Sequence, residues 1–384
     1  MNSAVSFVSK LPNVKTTIFT IMSRLAAQHN AINLSQGFPD FPSDTVLNEL
    51  VSKAMNNGYN QYAPMPGLLK LREAISYKIE YMHKVFYHPE TEITITVGAT
   101  EAIFSAIATF ISPGDEVIVL KPAYDCYEPA IRVQGGIAKL IQLEAPGFKV
   151  NWDEVANAIT DKTKMFIINT PHNPTGTILK REDMLTLETI LKETNIILVS
   201  DEVYEHIIFD NAPHESACRF PELANRSFIC ASFGKTFHNT GWKTGYCAAP
   251  KALMAEFRKT HQFNVFSTHH PTQKAFADYL KDETQYTSIP DFYQEKRDYF
   301  QKLIQGSRFK ILPCKGTYFQ LLDYSAISNE KAVDFAIRLV KEYGIATIPV
   351  SVFNKDEVED GLLRFCFAKE ETTLEKAAEI IHGI

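Results

Sequence analysis

Lys235 is the side chain best placed for covalent chemistry. In ASFGKTFHNTGWKTG it follows an apolar run and a glycine. Apolar surroundings lower the pKa of an amine, and an amine must shed its proton before it can form an imine with a carbonyl. Three more polar clusters stand where apolar runs stop, the edge at which open α/β sheets place their ligands. In VGATEAIFSAI a strand is predicted to stop at Gly98 and a helix to start near Thr100. Unpaired amides and the helix dipole suit such a start to phosphate, although Thr100 as a plain cap explains it equally well. NTPHNPTG supplies Asn173, and VSDEVYEH places Asp201 and Tyr204 just after a strongly apolar run, where an acidic residue can also be a simple cap. Arg364 lies within LLRFCFA. An arginine there is costly to bury unless an anion meets it; the alternative is a surface salt bridge.

These clusters require a scaffold that ends several strands on one side. Short apolar runs recur at ITITVGA (from 93), EVIVL (116), KLIQL (139), KMFIINT (164), IILVS (196), FICAS (228) and GYCAA (245), with helical patterns between them. Strands alternating with helices predict an α/β fold whose mostly parallel sheet is flanked by helices. Ser-Pro-Gly-Asp at 112–115, Pro-Gly at 146–147 and Asn-Pro-Thr-Gly at 173–176 punctuate it. Val14, Ile18, Ile21, Met22 and Leu25 predict an amphipathic helix over 14–25. After about residue 285 the pattern changes to a long helix (DFYQEKRDYFQKLIQ), the runs TYFQLLD, IATIPV and LLRFCFA, a helix around 331–343 and a final helix, which reads as a smaller α+β unit. The expected organisation is an N-terminal arm with part of the small domain (1–40), a large domain (41–285) and a small C-terminal domain (286–384).

Composition narrows the classes. The 384 residues are 45% hydrophobic and 22% charged, as in folded globular chains. A net charge of -6 without a basic run gives nucleic acid no electrostatic support. Cys126, Cys218, Cys230, Cys247, Cys314 and Cys366 are widely spaced with no CxxC pair, which fits reduced core thiols. The N-terminus has no basic start with a long apolar run, so neither secretion nor a membrane span is expected, and the cytoplasm is the default. The pair His269–His270 lacks the companions of a metal site.

Taken in order along nearly the whole chain, SFGKTF with TGWKTG, QGFPDFP, PAYDCYEP, DEVYEH and IPVSVF resemble the class I aminotransferases of the fold-type-I pyridoxal-phosphate family. The wording is most similar to the branch that contains kynurenine, glutamine–phenylpyruvate and methionine aminotransferases. The resemblance implies pyridoxal 5'-phosphate as cofactor, with Lys235 as its Schiff-base lysine and, once displaced by substrate, the general base. It implies that Asp201 faces the pyridine nitrogen and keeps it protonated. Asn173 and Tyr204 match residues at the cofactor's phenolic oxygen, with Asn173 also near the substrate carboxylate and Asn173–Pro174 expected cis as in relatives. Tyr124 matches the ring stacked on the pyridine, for which a plain core tyrosine is the alternative. The phosphate is assigned to Ala99, Thr100, Ser232 and Lys243, and to Tyr62 reaching across from a second subunit, so a homodimer with shared active sites is expected. Many class I members have arginine where Lys243 stands, which exchanges a two-pronged grip for a point charge. Arg364 matches the fork on the substrate α-carboxylate, with the amide of Gly37 closing that site.

The substrates implied are amino acids and 2-oxo acids. No second arginine offers itself for an acidic side chain, whereas Phe19, Phe38, Phe263, Phe266 and Phe353 lie in segments that border the pocket in relatives. Methionine or aromatic and other large neutral donors are therefore expected in a ping-pong exchange. Phe19 stands about where some kynurenine-active relatives have tryptophan, which weighs against kynurenine. Two rival functions stay open at this point: a carbon–sulfur β-lyase on the same fold, and a ligand-sensing regulator, which would call for an appended DNA-binding domain.

Overall fold

Each apolar run is too short for a helix and ends at a turn, and all seven become strands of one sheet. In the computed structural model, which describes residues 8–384, these are Ile93–Thr96 (β1), Glu116–Lys121 (β2), Ile137–Gln142 (β3), Thr163–Asn169 (β4), Ile197–Asp201 (β5), Ser227–Ser232 (β6) and Gly245–Ala248 (β7). Their order is β1-β7-β6-β5-β4-β2-β3. Only β7 runs against its neighbours. It follows β6 through the short connection 233–244, which has no room for the crossover helix that parallel pairing requires. That connection carries Lys235.

Alternate residues of the central strands feed two apolar layers. Ile118, Phe166, Ile168 and Leu198 enter one, while Val117, Val119, Met165, Ile167 and Val199 enter the other. Burial on both faces is why these runs read as continuously apolar rather than alternating. Gly98–Phe110 (labelled αN) lies on the second layer, and its buried face includes Ala102, Ile103 and Ala106.

Lys310–Ile311 (β8), Phe319–Asp323 (β9), Ile348–Pro349 (β10) and Leu362–Cys366 (β11) build a second, antiparallel sheet in the order β10-β11-β9-β8. Its core takes Tyr293 and Phe300 from the helix Ile289–Ile304, Leu374 and Ile381 from the last helix Glu371–Gly383, and Met22 and Ala26 from the helix Ile18–His29. Ile32–Asn33 pairs in parallel with Ile345–Ala346, which brings the two ends of the chain into the same unit. No helix among the described residues is long and apolar enough to cross a membrane.

Three local expectations are corrected. The first helix spans Ile18–His29, not 14–25, because the Thr17 side chain caps it and Asn30 ends it in the left-handed region. The run IATIPV is not one strand: Ile345–Ala346 and Ile348–Pro349 pair with different partners, and Thr347 between them donates its hydroxyl to the Arg364 carbonyl (2.6 Å). β1 stops at Thr96, and αN begins at Gly98 itself rather than near Thr100, with Gly98 at φ +69°. Residues 1–7 of the expected 1–40 arm lie outside the described residues.

Candidate active site

Strands β4, β5 and β6 end on one side of the sheet, and the second sheet faces them across a cavity of about 310 Å³. The N-terminus of αN and the 233–244 connection complete its wall. Lys235, Asp201, Tyr204, Asn173 and Tyr124 line this cavity, as do Ala99, Thr100, Ser232, Lys243, Gly37, Phe19 and Arg364. Residues far apart in the chain are thus gathered around one space.

At one end Gly98, Ala99 and Thr100 open αN with no side-chain cap, so their amides are available to an anion. A Cβ built on Gly98 would stand 3.6 Å from Lys243 Nζ, and one on Gly245 would meet Ala231 O at 2.5 Å and Ala99 N at 3.0 Å. Gly245 therefore admits the close approach of the helix start, and Gly98, at φ +69°, begins the helix in ordinary contact with Lys243. Ser232 and Thr240 border it, and among the described residues no carboxylate pairs with Lys243. The donor set suits a phosphate group.

On the cavity floor Asp201 is buried and lacks a cationic partner among the described residues. One carboxylate oxygen accepts from the Tyr127 hydroxyl (2.5 Å) and the other from the Val203 amide (3.2 Å). Burial raises its pKa to about 6 against the opposing pull of the Tyr127 bond. A cation or a protonated ring nitrogen opposite it would restore the charged form. Asn169 donates to the Asp201 carbonyl (2.9 Å) and accepts from the Asn173 amide (2.8 Å), which ties the ends of β4 and β5 to the loop bearing Asn173. The Asn173–Pro174 bond is cis.

Lys235 enters from a short helical turn, Phe233–Thr236. Burial lowers its pKa to about 8, helped by the positive charges of Arg364 and Lys243. Its Nζ donates to the Gly37 carbonyl (2.9 Å) and to the Tyr318 hydroxyl (3.0 Å). Tyr204 is buried with its ring edge-on to Tyr318 (5.3 Å), and burial raises its pKa.

Arg364 is among the largest fully buried side chains. It donates to Asn173 Oδ1 (2.6 Å) and to the Ser35 carbonyl (3.1 Å), while its Nε has no partner. Its guanidinium lies 3.8 Å from the Phe319 ring centroid and 5.3 Å from that of Phe19. Burial lowers its pKa, and among the described residues no carboxylate forms an ion pair with it. The surface salt bridge is thereby set aside. A buried guanidinium with a free donor and no counter-charge is built for an arriving anion.

The cavity thus offers an anion cradle at one end, a buried carboxylate on the floor, an amine between them, and a second anion site at Arg364. A phosphorylated heterocycle with a basic ring nitrogen and an aldehyde, such as pyridoxal 5'-phosphate, fits the first three.

Three expected site residues stand elsewhere. Phe38 is 44% exposed and does not line the cavity; Lys369 Nζ donates to its carbonyl (2.9 Å) and lies 5.0 Å from its ring centroid. Phe266 is 45% exposed in the left-handed region (φ +67°) and packs against Tyr62 (5.2 Å) rather than toward the cavity of its own chain. Tyr62, expected in the site of a second subunit, is 80% exposed and does not line the cavity of its own chain. Conversely, Tyr127, Asn169, Thr240, Gln36 and Tyr318 were not singled out from the sequence. PAYDCYEP contains Tyr127 beside Tyr124, and HNTG contains Thr240, so both sat inside motifs already noted. Asn169 closes a strand beside the recognised Asn173; for Tyr318 no local signal existed.

Comparison with known proteins bears on this arrangement. The model of the family "Aminotransferase class I and II" matches residues 29–381. The chain is 48% identical over 372 residues to methionine aminotransferase of Escherichia coli (strain K12), covering 97% of this chain and 96% of the relative. It is 34% identical over 402 residues to a kynurenine–oxoglutarate transaminase of Dictyostelium discoideum, covering 94% of this chain and 92% of the relative. The crystal structure of Escherichia coli YbdL, described as having a methionine aminotransferase function, superposes with a TM-score of 0.97 at 47% identity, over 99% of this chain and 100% of that one.

Proposed function

Because the chain belongs to the class I and II aminotransferases, we propose that its cavity exchanges an amino group between methionine, or another large neutral or aromatic amino acid, and a 2-oxo acid. The enzyme is an amino-acid aminotransferase of fold type I, and its substrates are amino acids and 2-oxo acids. The donor preference rests on the 48% identity to methionine aminotransferase and on the cavity's composition. Phe19 and Phe319 lie beside Arg364, which is the one arginine among the residues lining the cavity. A second carboxylate on the substrate would find no second fork.

Pyridoxal 5'-phosphate, when bound, supplies an electron sink that acidifies the α-hydrogen of an attached amino acid. Lys235 would hold it covalently, with Ala99, Thr100, Ser232, Thr240 and Lys243 around its phosphate. Asp201, anionic when opposed by a positive charge, would keep the ring nitrogen protonated. Asn173 and Tyr204 would stand at its polar edge and Tyr124 at its face. Arg364 and Asn173 would fix the substrate carboxylate, which leaves the amine of Lys235 to take a proton from the α-carbon and return it to the neighbouring carbon.

The exposed rings of Tyr62 and Phe266 pack together at the surface, and Phe263 is exposed as well. In this reading a second copy covers them, and Tyr62 completes the partner's phosphate site. The reading is thus of a homodimer with shared active sites, placed in the cytoplasm.

The observation that carries the proposal is a buried arginine with no counter-ion among the described residues, across one cavity from a lysine of lowered pKa. The test is a half-reaction. Methionine added alone to the holoenzyme should convert the visible absorbance of the bound cofactor to its amine form, and a 2-oxo acid should restore it. If no amino acid among methionine and the aromatic donors does so, the donor assignment is wrong. Release of pyruvate and ammonia from a cysteine conjugate without any oxo acid would instead mark a lyase.

A further inference from the structure

Tyr318 enters the run TYFQLLD, which the sequence reads only as part of the smaller unit, yet its hydroxyl is 3.0 Å from Lys235 Nζ. The side chain is fully buried and held by Tyr204, Phe319 and Tyr293, whose ring centroids lie 5.3, 4.9 and 5.6 Å away. The backbone on either side is fixed as well: the Thr317 amide donates to the Ile207 carbonyl (2.8 Å), and the Phe367 amide donates to the Tyr318 carbonyl (3.0 Å). The hydroxyl is therefore delivered by a rigid support, not by a mobile loop.

The hydrogen inventory determines what this hydroxyl can do. Tyr318 donates its single hydrogen to the Gly37 carbonyl, which cannot donate in return. Toward Lys235 it presents only lone pairs. The Gly37 carbonyl also accepts from Lys235 (2.9 Å). An uncharged amine has two N–H bonds and one lone pair; the two acceptors stand on one side of Nζ, so bent bonds to both leave the lone pair facing away from them. Lys235 and Gly37 line the cavity and Tyr318 does not, so the remaining direction opens into it.

We propose that Tyr318 is a positioning residue whose hydroxyl, together with the Gly37 carbonyl, receives both hydrogens of the free Lys235 amine and aims its lone pair at the substrate α-carbon. The inference rests on the reading of Lys235 as the proton carrier. In the transfer, the C–H bond breaks as an N–H bond forms, and the carbon's electron pair stays with the substrate and its bound cofactor. The new N–H occupies the direction the lone pair held, so a small swing of the amine carries the proton from the α-carbon to the neighbouring carbon. Without Tyr318 the amine keeps one acceptor and rotates about its Cδ–Cε and Cε–Nζ bonds.

Y318F keeps the ring and removes the hydroxyl. Its melting temperature should stay within about 3 °C of the wild type and its methionine affinity within about threefold. The single-turnover rate with methionine should fall by about tenfold or more, the effect of one lost hydrogen bond to an ionisable group. The deuterium isotope effect with α-deuterated methionine should rise, because proton transfer slows relative to the other steps. In the cofactor-free protein, acetylation of Lys235 by acetic anhydride, followed across pH by peptide mass spectrometry, should show a lower titration midpoint in Y318F, since an acceptor favours the protonated amine. Space filling alone moves neither readout, and either one remaining at its wild-type value overturns the proposal. Should Y318F fail to fold, 3-fluorotyrosine at the same position weakens the oxygen as an acceptor and should shift both readouts in the same direction. Borohydride reduction of the wild type separates the two layers. If the cofactor is not trapped on Lys235, the reading of the lysine fails; if it is trapped and Y318F behaves as wild type, only the role of Tyr318 fails.

Discussion

Replacing Arg364 by methionine separates an arginine kept for a ligand from one kept for the fold. R364M deletes a charge that is fully buried with no counter-ion among the described residues, together with its bonds to Asn173 and the Ser35 carbonyl. The two bonds contribute about 1.5–3 kcal/mol each, as expected for a charged donor. The burial of an unpaired ion costs several kcal/mol in the opposite direction. The terms nearly cancel, so the melting temperature of the protein should move by no more than about 5 °C. Catalysis has no such compensation. A fork on the substrate carboxylate contributes two charge-assisted bonds, together about 3–4 kcal/mol, and its loss should lower kcat/KM for methionine by about a hundredfold to a thousandfold. Calorimetry and half-reaction kinetics measure the two effects on one preparation. The sharper assay compares methionine with 3-methylthiopropylamine, the same molecule without its carboxylate. The wild type should discriminate strongly between them, and R364M should lose most of that preference. A fall of 15 °C or so in melting temperature, or undiminished discrimination, would refute the assignment of Arg364 to the carboxylate.

Two further outcomes are expected. Lys243→Gln should weaken cofactor binding by about tenfold or more while Lys243→Arg largely retains it, as charge rather than geometry holds the anion there; equilibrium dialysis against the cofactor measures both. The pKa of Lys235 is lowered to about 8, below its unfolded value of about 10.4. Below pH 8 the folded state must carry a poorly solvated ammonium, and that penalty is relieved as pH rises between the two values, where the unfolded chain binds more protons. The stability gained by K235M over the cofactor-free wild type, measured by urea unfolding, should therefore be largest near pH 7 and shrink toward pH 10.5. A difference independent of pH would contradict the lowered value.

The parts of the site that were legible in the sequence are those whose setting is local. Asp201 closes an apolar strand, Lys235 follows one by three residues, and Arg364 interrupts an apolar run, so a charge in the wrong solvent marks all three. The seven strands of the large sheet were legible for the related reason that burial on both faces leaves unbroken apolar runs. Tyr318 was not, because a tyrosine entering a strand reads as core and its partner is 83 positions away. Phe38 and Phe266 were placed near the pocket by their segments, but the direction of a side chain depends on contacts such as Lys369 on Phe38 that residue order does not encode. The division of IATIPV was hidden for a similar reason, since Thr347 answers to the Arg364 carbonyl rather than to its own strand.

The parallel pairing of Ile32–Asn33 with Ile345–Ala346 sets an order on biosynthesis. The large sheet is complete once the chain has emerged through Ala248, whereas the strand at residues 32–33 must wait for a partner made more than three hundred residues later. Until then the N-terminal helix, whose Met22 and Ala26 belong to that later core, has apolar surface without cover. A ribosome stalled before residue 345 would hold a finished cofactor floor and an unfinished roof, with the nascent N-terminus as the segment a chaperone would be expected to grasp.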